Sequence, residues 1–233
     1  MCGRFTLRAS PRVIAEQFEL FETPEFTARY NIAPSQSVAA VRRTAGATVQ
    51  RELVLLQWGL IPAWADDPSI GNRLINARAE TAAQKPAFRH ALARRRCLIV
   101  ADGFYEWQGT GRSKQPYLIR LPDDRPFAFA GLWESWEGPA HAHLESCTIL
   151  TTEANAVVRP IHDRMPVIVA PADYGRWLDP HVQDAAQLTD LLRPFTSDTL
   201  EAIRVSPWVN SPVHEGPQCL APWGVQRGLD LGG

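Results

Sequence analysis

The residues best equipped for chemistry stand at the start of the chain, in Met1-Cys2-Gly3-Arg4. Trimming of an initiator methionine ahead of a small residue would leave Cys2 with a free α-amine beside a free thiol. The amine titrates at about 7.7 to 8.0 and the thiol at about 8.5, so each supplies a usable minority of nucleophile at neutral pH. A 1,2-aminothiol condenses with an aldehyde through nitrogen to a Schiff base and then closes through sulfur to a five-membered thiazolidine, which an internal cysteine cannot do. Gly3 lets a substrate approach the main chain closely, and Arg4 offers a fixed charge to a phosphate or carboxylate. The competing reading is an ordinary terminus with a buried cysteine.

Other polar groups sit in apolar or aromatic surroundings. Glu106 lies between Tyr105 and Trp107. Partial burial there would raise its pKa and make it an acid or base near neutrality; otherwise it points to water from an edge strand. His162, within Pro160-Ile161-His162-Asp163-Arg164-Met165-Pro166, is suited to proton exchange, with Asp163 or Arg164 to tune it, or else is a hydrogen-bonded structural histidine. His141 and His143 fall in a loop that reads as exposed. Asn76 and Arg78 alternate with Ile75 and Ala77, so in extended backbone they share a face. An amide beside a guanidinium suits a phosphate or sugar oxygen, unless the arginine pairs with an acid of the chain. Trp58, Trp64 and Trp107 offer faces for base stacking or for core packing.

These side chains need elements to position them. Ser10-Pro11 predicts a helix start with Val13, Ile14 and Phe18 on one face. Residues 29–35 read as a structured loop around Asn31 and Pro34. Strands are expected at 38–42 and 49–58 with a turn at Gly46 between them, then at 97–101, 117–121, 127–132, 147–151, 167–170 and 202–205. Asp102-Gly103 turns the chain into Phe104-Tyr105-Glu106-Trp107. Helical segments are expected after Ala79, interrupted by Pro86 and resuming through Leu92, and at 172–178 and 185–192. The tail from Gly216 reads as loosely held. Strands outnumber helices without regular alternation, which predicts an α+β fold with a mainly antiparallel, barrel-like β core and peripheral helices, in one domain over 1–233.

Composition sets the outer bounds. The 233 residues are 45% hydrophobic and 21% charged with net charge −1, as in ordinary soluble proteins, so no global field draws the chain to nucleic acid or acidic membrane. Any anion site must be local. One region qualifies: Arg73, Arg78, Lys85, Arg89, Arg94, Arg95 and Arg96 fall in a stretch whose only acid is Glu80, which makes it either phosphate-facing or a solvated helix face. Cys2, Cys97, Cys147 and Cys219 are widely spaced, which argues against a zinc knuckle or a disulfide framework. No run is long and apolar enough for a signal peptide or membrane span, so a reducing cytoplasm is expected.

Seven segments in order give the chain a family resemblance: Met1-Cys2-Gly3-Arg4-Phe5, Tyr30-Asn31-Ile32-Ala33-Pro34-Ser35, Trp58-Gly59-Leu60-Ile61-Pro62, Ile75-Asn76-Ala77-Arg78-Ala79-Glu80-Thr81, Ala101-Asp102-Gly103-Phe104-Tyr105-Glu106-Trp107, Phe129-Ala130-Gly131-Leu132-Trp133 and Ile161-His162-Asp163-Arg164-Met165-Pro166. They resemble the SRAP (SOS-response-associated peptidase) family, proteins that crosslink to abasic sites in DNA. The resemblance implies Cys2 as nucleophile with Asn76, Glu106 and His162 around it, and Arg4, Arg78, Trp107, Thr151 and Arg164 as contacts to DNA. It implies single-stranded DNA carrying abasic sites as the partner, a monomer, and no metal or organic cofactor, with lyase and autopeptidase activity as further possibilities. Two other readings fit the opening residues: an N-terminal-nucleophile hydrolase, and a non-covalent reader of single-stranded or modified DNA.

Overall fold

The computed structural model describes residues 2–22, 25–44, 50–109 and 114–224. The first third contains β1 (Phe5–Leu7), α1 (Pro11–Phe18), β2 (Arg29–Ile32), β3 (Ser37–Arg43), β4 (Arg51–Trp58) and β5 (Asn76–Arg78). Then follow α2 (Ala79–Ala82), α3 (Arg89–Arg94), β6 (Arg96–Ala101), β7 (Gly103–Gln108), β8 (Gln115–Arg120), β9 (Phe127–Glu137) and β10 (His143–Glu153). The chain ends through β11 (Arg164–Pro166), β12 (Ile168–Val169), α4 (Tyr174–Leu178) and β13 (Glu201–Arg204), with short 3-10 turns between and after them.

Five strands close on themselves. β10 pairs with β4, β4 with β3, β3 with β6, β6 with β9, and β9 returns to β10. Only the β10–β4 seam of this ring is parallel; β5 also runs parallel to β10, on the barrel's flank. A second, antiparallel sheet has the order β13-β8-β7-β1-β2. The α+β, mainly antiparallel, barrel-like expectation therefore describes the fold. β6 is buried at every position because the barrel covers one side and α4 the other, where Trp177 Nε1 donates to the Cys97 carbonyl at 2.8 Å. A strand so enclosed reads as a continuous apolar run, which is how 97–101 stood out.

Several local expectations are corrected. Residues 29–32 form β2, not loop, because Phe5 and Leu7 offer them a partner in register with Ile32 and Arg29. In α1, capped by Ser10 Oγ accepting from Val13 N–H, Ile14 and Phe18 are buried but Val13 is 42% exposed. β9 and β10 run to 11 residues each, beyond the apolar stretches that suggested them, since their polar ends alternate outward along the same ladder. The tail is anchored through Trp223: Ser206 N–H donates to the Ala221 carbonyl, Trp223 N–H to that of Arg204, and Cys219 is buried. The turn at Gly46 and the chain beyond residue 224 lie outside the described residues. The arginine-rich stretch is largely structural at its end. Arg95 pairs with buried Glu134, and buried Arg96 donates to the carbonyls of Trp177, Leu92, Ala93 and Asp179.

The barrel matters for function because it anchors the amino terminus. Phe5 is fully buried, edge-on to Trp58 at 5.2 Å and to Phe129 at 5.7 Å between centroids. Burial of such a ring contributes about 1.5–3 kcal/mol. One residue on, buried Asp102 ties β1 to β7: it accepts from Thr6 Oγ1 at 2.6 Å, from Ala9 N–H at 2.9 Å, from Arg8 Nε at 3.1 Å and from Arg8 N–H. Asp102→Ala would strand these donors and leave Arg8 without its buried counter-charge. We expect a loss of about 3–5 kcal/mol in denaturant-unfolding free energy, against less than about 0.5 kcal/mol for exposed Asp123→Ala.

Candidate functional site

Cys2 lies just ahead of β1 and is completely buried. Its carbonyl accepts a 2.7 Å hydrogen bond from Asn76 Nδ2, and its thiol faces the Arg4 carbonyl at 3.8 Å. Tyr105 N–H donates to the Arg4 carbonyl at 2.9 Å, extending the β1–β7 ladder toward the terminus and bringing Cys2 beside β7. Asn76 reaches it from β5, which is held in register by Asn76↔Ile149 pairing and by Trp58 Nε1 donating to the Ile75 carbonyl at 2.8 Å. Trp58 is thus a core brace and not a stacking surface. The buried Oδ1 of Asn76 has no hydrogen-bond partner among the described residues, which leaves an oriented acceptor next to Cys2.

Burial, and secondarily the Glu106 carboxylate, push the Cys2 thiol far above the ordinary thiol range, so it rests protonated. Glu106 is buried on β7, and burial raises its pKa to about 7 against the opposing pull of the positive chain terminus. His162, in the loop before β11, is shifted down, first by burial and then by that same terminal charge. Its Nδ1 accepts from Arg164 N–H at 2.9 Å, which places the ring proton of the neutral form on Nε2. Asp163 Oδ1 lies 3.0 Å from the same Nδ1, placed to accept a hydrogen bond from it when the ring is charged. Gln108 Nε2 donates to the Pro160 carbonyl at 2.9 Å, tying the end of β7 to the histidine loop. The fold thus gathers Cys2, Asn76, Glu106 and His162 from four segments, with Cys2 and Glu106 buried and Asn76 and His162 partly so.

The groups expected to meet DNA behave differently from one another. Arg78 is exposed, and its guanidinium makes no hydrogen bond or ion pair with a described residue. Arg164 is engaged: it forks onto Glu80 at 2.7 and 2.9 Å, donates to the Thr151 carbonyl at 2.6 Å, and keeps a buried Nε without a partner among the described residues. Thr151 is fully buried, with its hydroxyl 3.4 Å from the Ala77 carbonyl, so its visible role is to brace Arg164 and β5. Arg4 donates to Asn31 Oδ1 at 2.6 Å and to the Val209 carbonyl at 3.0 Å, and lies 5.7 Å from the Trp107 ring centroid. Trp107 is half-buried and donates through Nε1 to Asn210 Oδ1 at 2.7 Å. Trp64, by contrast, is 60% exposed.

Two participants escape a reading of the sequence. Asn31, legible only as a turn former, is buried and distributes its amide among the carbonyls of Val209, Ser211 and His214. Lys114 exerts an electrostatic pull on both Glu106 and His162 from the start of β8. Only its position as one of two lysines in the chain could have marked it. Among the described residues, no group of three or more His, Cys, Asp or Glu is gathered as a metal-ligand set, and no helix is long and apolar enough to cross a membrane.

Residues 1–212 match the family model described as SOS response associated peptidase (SRAP). The chain belongs to the SRAP family. Abasic site processing protein YoqW of Bacillus subtilis (strain 168) is 43% identical over 224 residues, covering 94% of this chain and 99% of the relative. Abasic site processing protein HMCES of Gallus gallus is 34% identical over 197 residues, covering 74% of this chain and 58% of its own. Among solved structures, a Bacteroides thetaiotaomicron protein superposes with a TM-score of 0.82 at 25% identity, covering 94% of this chain and 98% of that one. A Bordetella bronchiseptica protein gives 0.75 at 29% identity, covering 88% and 100%. The SRAP chain described here therefore shares its fold with proteins from Bacteroides and Bordetella, and the family match extends past the seven motif segments into the region that clamps Asn31.

The SRAP site carries a measurable pH signature. Glu106 ordinarily titrates near 4.5 and in the fold near 7, so between these values the folded chain binds more protons than the unfolded one. Its contribution is fully present below about 4.5 and is lost as pH rises through about 7. Unfolding free energy should fall across that window by on the order of 1–3 kcal/mol. Glu106→Gln should flatten this slope, as read from denaturant unfolding at a series of pH values.

Proposed function

We propose that this protein captures abasic sites in single-stranded DNA by forming a thiazolidine between the sugar aldehyde and Cys2 exposed by loss of Met1. The observation that carries the reading is the placement of Cys2: its carbonyl is pinned by Asn76, its thiol is buried and protonated, and Glu106 and His162 stand around it with shifted proton affinities. The relatives named for abasic-site processing support the substrate class.

An abasic deoxyribose rests mostly as a closed hemiacetal, so the site must first help open it. His162, neutral with its proton on Nε2, donates toward the ring oxygen, and the C1′ aldehyde is released as the anomeric hydroxyl gives up its proton. The Cys2 α-amine adds to that carbonyl, giving a carbinolamine. Glu106, near its midpoint at neutral pH, returns a proton to the leaving hydroxyl, and water departs as the C=N bond forms. The thiol then adds across C=N: its sulfur bonds to C1′, its proton ends on nitrogen, and the ring closes with a net loss of one water. A thiol held neutral suits this order, because the amine attacks first and the iminium charge beside the sulfur then favours deprotonation. The same neutral thiol disfavours direct thiolate attack on an amide, the first step of the rival hydrolase reading.

Exposed Arg78 supplies charge for a flanking phosphate, and the buried, oriented Asn76 Oδ1 is placed to receive an N–H of the terminal amine or a sugar hydroxyl. Arg4 and Arg164 enter through their present partners, so phosphate binding there involves exchange with Glu80 or with the Val209 carbonyl. Each step is carried by side chains and the terminal amine.

Mixing the protein with a single-stranded oligonucleotide bearing one abasic site should give a heat-stable adduct on a denaturing gel, and intact mass should show that it lacks Met1. Cys2→Ala and undamaged DNA should give none. Glu106→Gln and His162→Gln should slow adduct formation roughly 10²–10⁴-fold, as general acid–base residues do. An adduct that retains Met1, or one formed equally by Cys2→Ala, would overturn the reading.

A further inference from the structure

The 3-10 turn Pro207–Asn210 and the segment just after it carry an aromatic pair with no role in the chemistry above. The rings of Trp208 and His214 stack at 3.6 Å between centroids and 8° between planes. His214 Nδ1 donates to the Trp208 carbonyl at 2.6 Å, which fixes the imidazole against the indole. Trp208 nevertheless keeps 47% of its surface in solvent. A large apolar ring left exposed, yet rigidly buttressed on one face, is a surface prepared for a second flat ring.

Its position says which ring. The neighbouring carbonyl of Val209 accepts from Arg4, and Asn210 Oδ1 accepts from Trp107, so the turn is bonded directly to two residues at the rim of the Cys2 site. Buried Asn31 clamps it from beneath through the carbonyls of Val209, Ser211 and His214, and Glu215 accepts from the Tyr30 N–H and from Arg29 Nε at 3.2 Å. These hydrogen bonds hold the irregular segment against β2 and β7. We infer that the Trp208–His214 pair is a stacking platform for the nucleobase next to the lesion; the inference rests on the reading that the Cys2 site takes an abasic strand. A missing base removes one stacking partner from its neighbour, and an external aromatic face restores it without regard to sequence.

The test uses strands with a stable tetrahydrofuran spacer at the lesion position, which has no aldehyde and binds reversibly. The nucleotide on one side or the other is either normal or a second spacer, and binding is read by fluorescence anisotropy. Removing the base on one side should weaken wild-type binding about 5- to 100-fold. Trp208→Ala should bind both strands with that same weak affinity, and Trp208→Phe should restore most of the difference. Equal weakening of both strands by Trp208→Ala, or wild-type indifference to either flanking base, would overturn the platform. A genuine abasic strand run in parallel on a denaturing gel tests the underlying reading separately: failure of the wild type to form an adduct there sinks the capture chemistry, while the anisotropy still decides the stacking.

Discussion

The insertion of β1 between β2 and β7 is the constraint on which the site depends. A three-residue strand has little stability of its own, and a chain terminus ordinarily frays. Here Phe5 is locked into the barrel's aromatic cluster, and Asp102 gathers the donors of Thr6, Arg8 and Ala9 around a buried carboxylate. Those anchors fix the direction in which Cys2 leaves the sheet. The Asn76–Cys2 hydrogen bond then acts on a backbone already placed, and the entropy of ordering the terminus is offset by core packing instead of by the reacting groups.

Electrostatics follow from the same placement. Running the terminus into a buried corner desolvates Cys2, Glu106 and His162 together, and each shifts toward its neutral form: thiol up, carboxyl up, imidazole down. A site that must deliver and remove protons within one reaction gains from groups that are neutral at rest, and Glu106, raised to about 7, stands near its midpoint at neutral pH. Exposed Arg78 adds charge beside this corner without making the whole chain, of net charge −1, basic.

Much of this was legible in the sequence where the signal is local. The apolar run of β6, the Ser10-Pro11 start of α1 and the Pro86 break each rest on neighbours in the chain, and the alternation through Asn76 and Arg78 correctly puts them on one strand. Cys2, Asn76, Glu106 and His162 stood out because each is a reactive or polar type in an unusual setting, and the family resemblance joined them. What could not be read is partnership across long separations. Arg4 meets a carbonyl at Val209, Arg164 meets Glu80, and Arg96 meets carbonyls near residue 179. Nothing beside those arginines marks them as already engaged. The strand at 29–32 was missed for the same reason, since its partner β1 is too short to announce itself.

The clamp made by Asn31 has a consequence for how the fold closes. Its three carbonyl partners lie at residues 209, 211 and 214, and Arg4 shares one of them. Asn31 and Arg4 therefore have polar groups satisfied only by a segment 178 to 205 residues further along, and closing so long a loop is slow beside local pairing. In the closed fold Cys2 is sealed from solvent. A change in the 207–214 segment is therefore felt at Arg4 and Asn31 through these bonds, although no barrel strand lies in it.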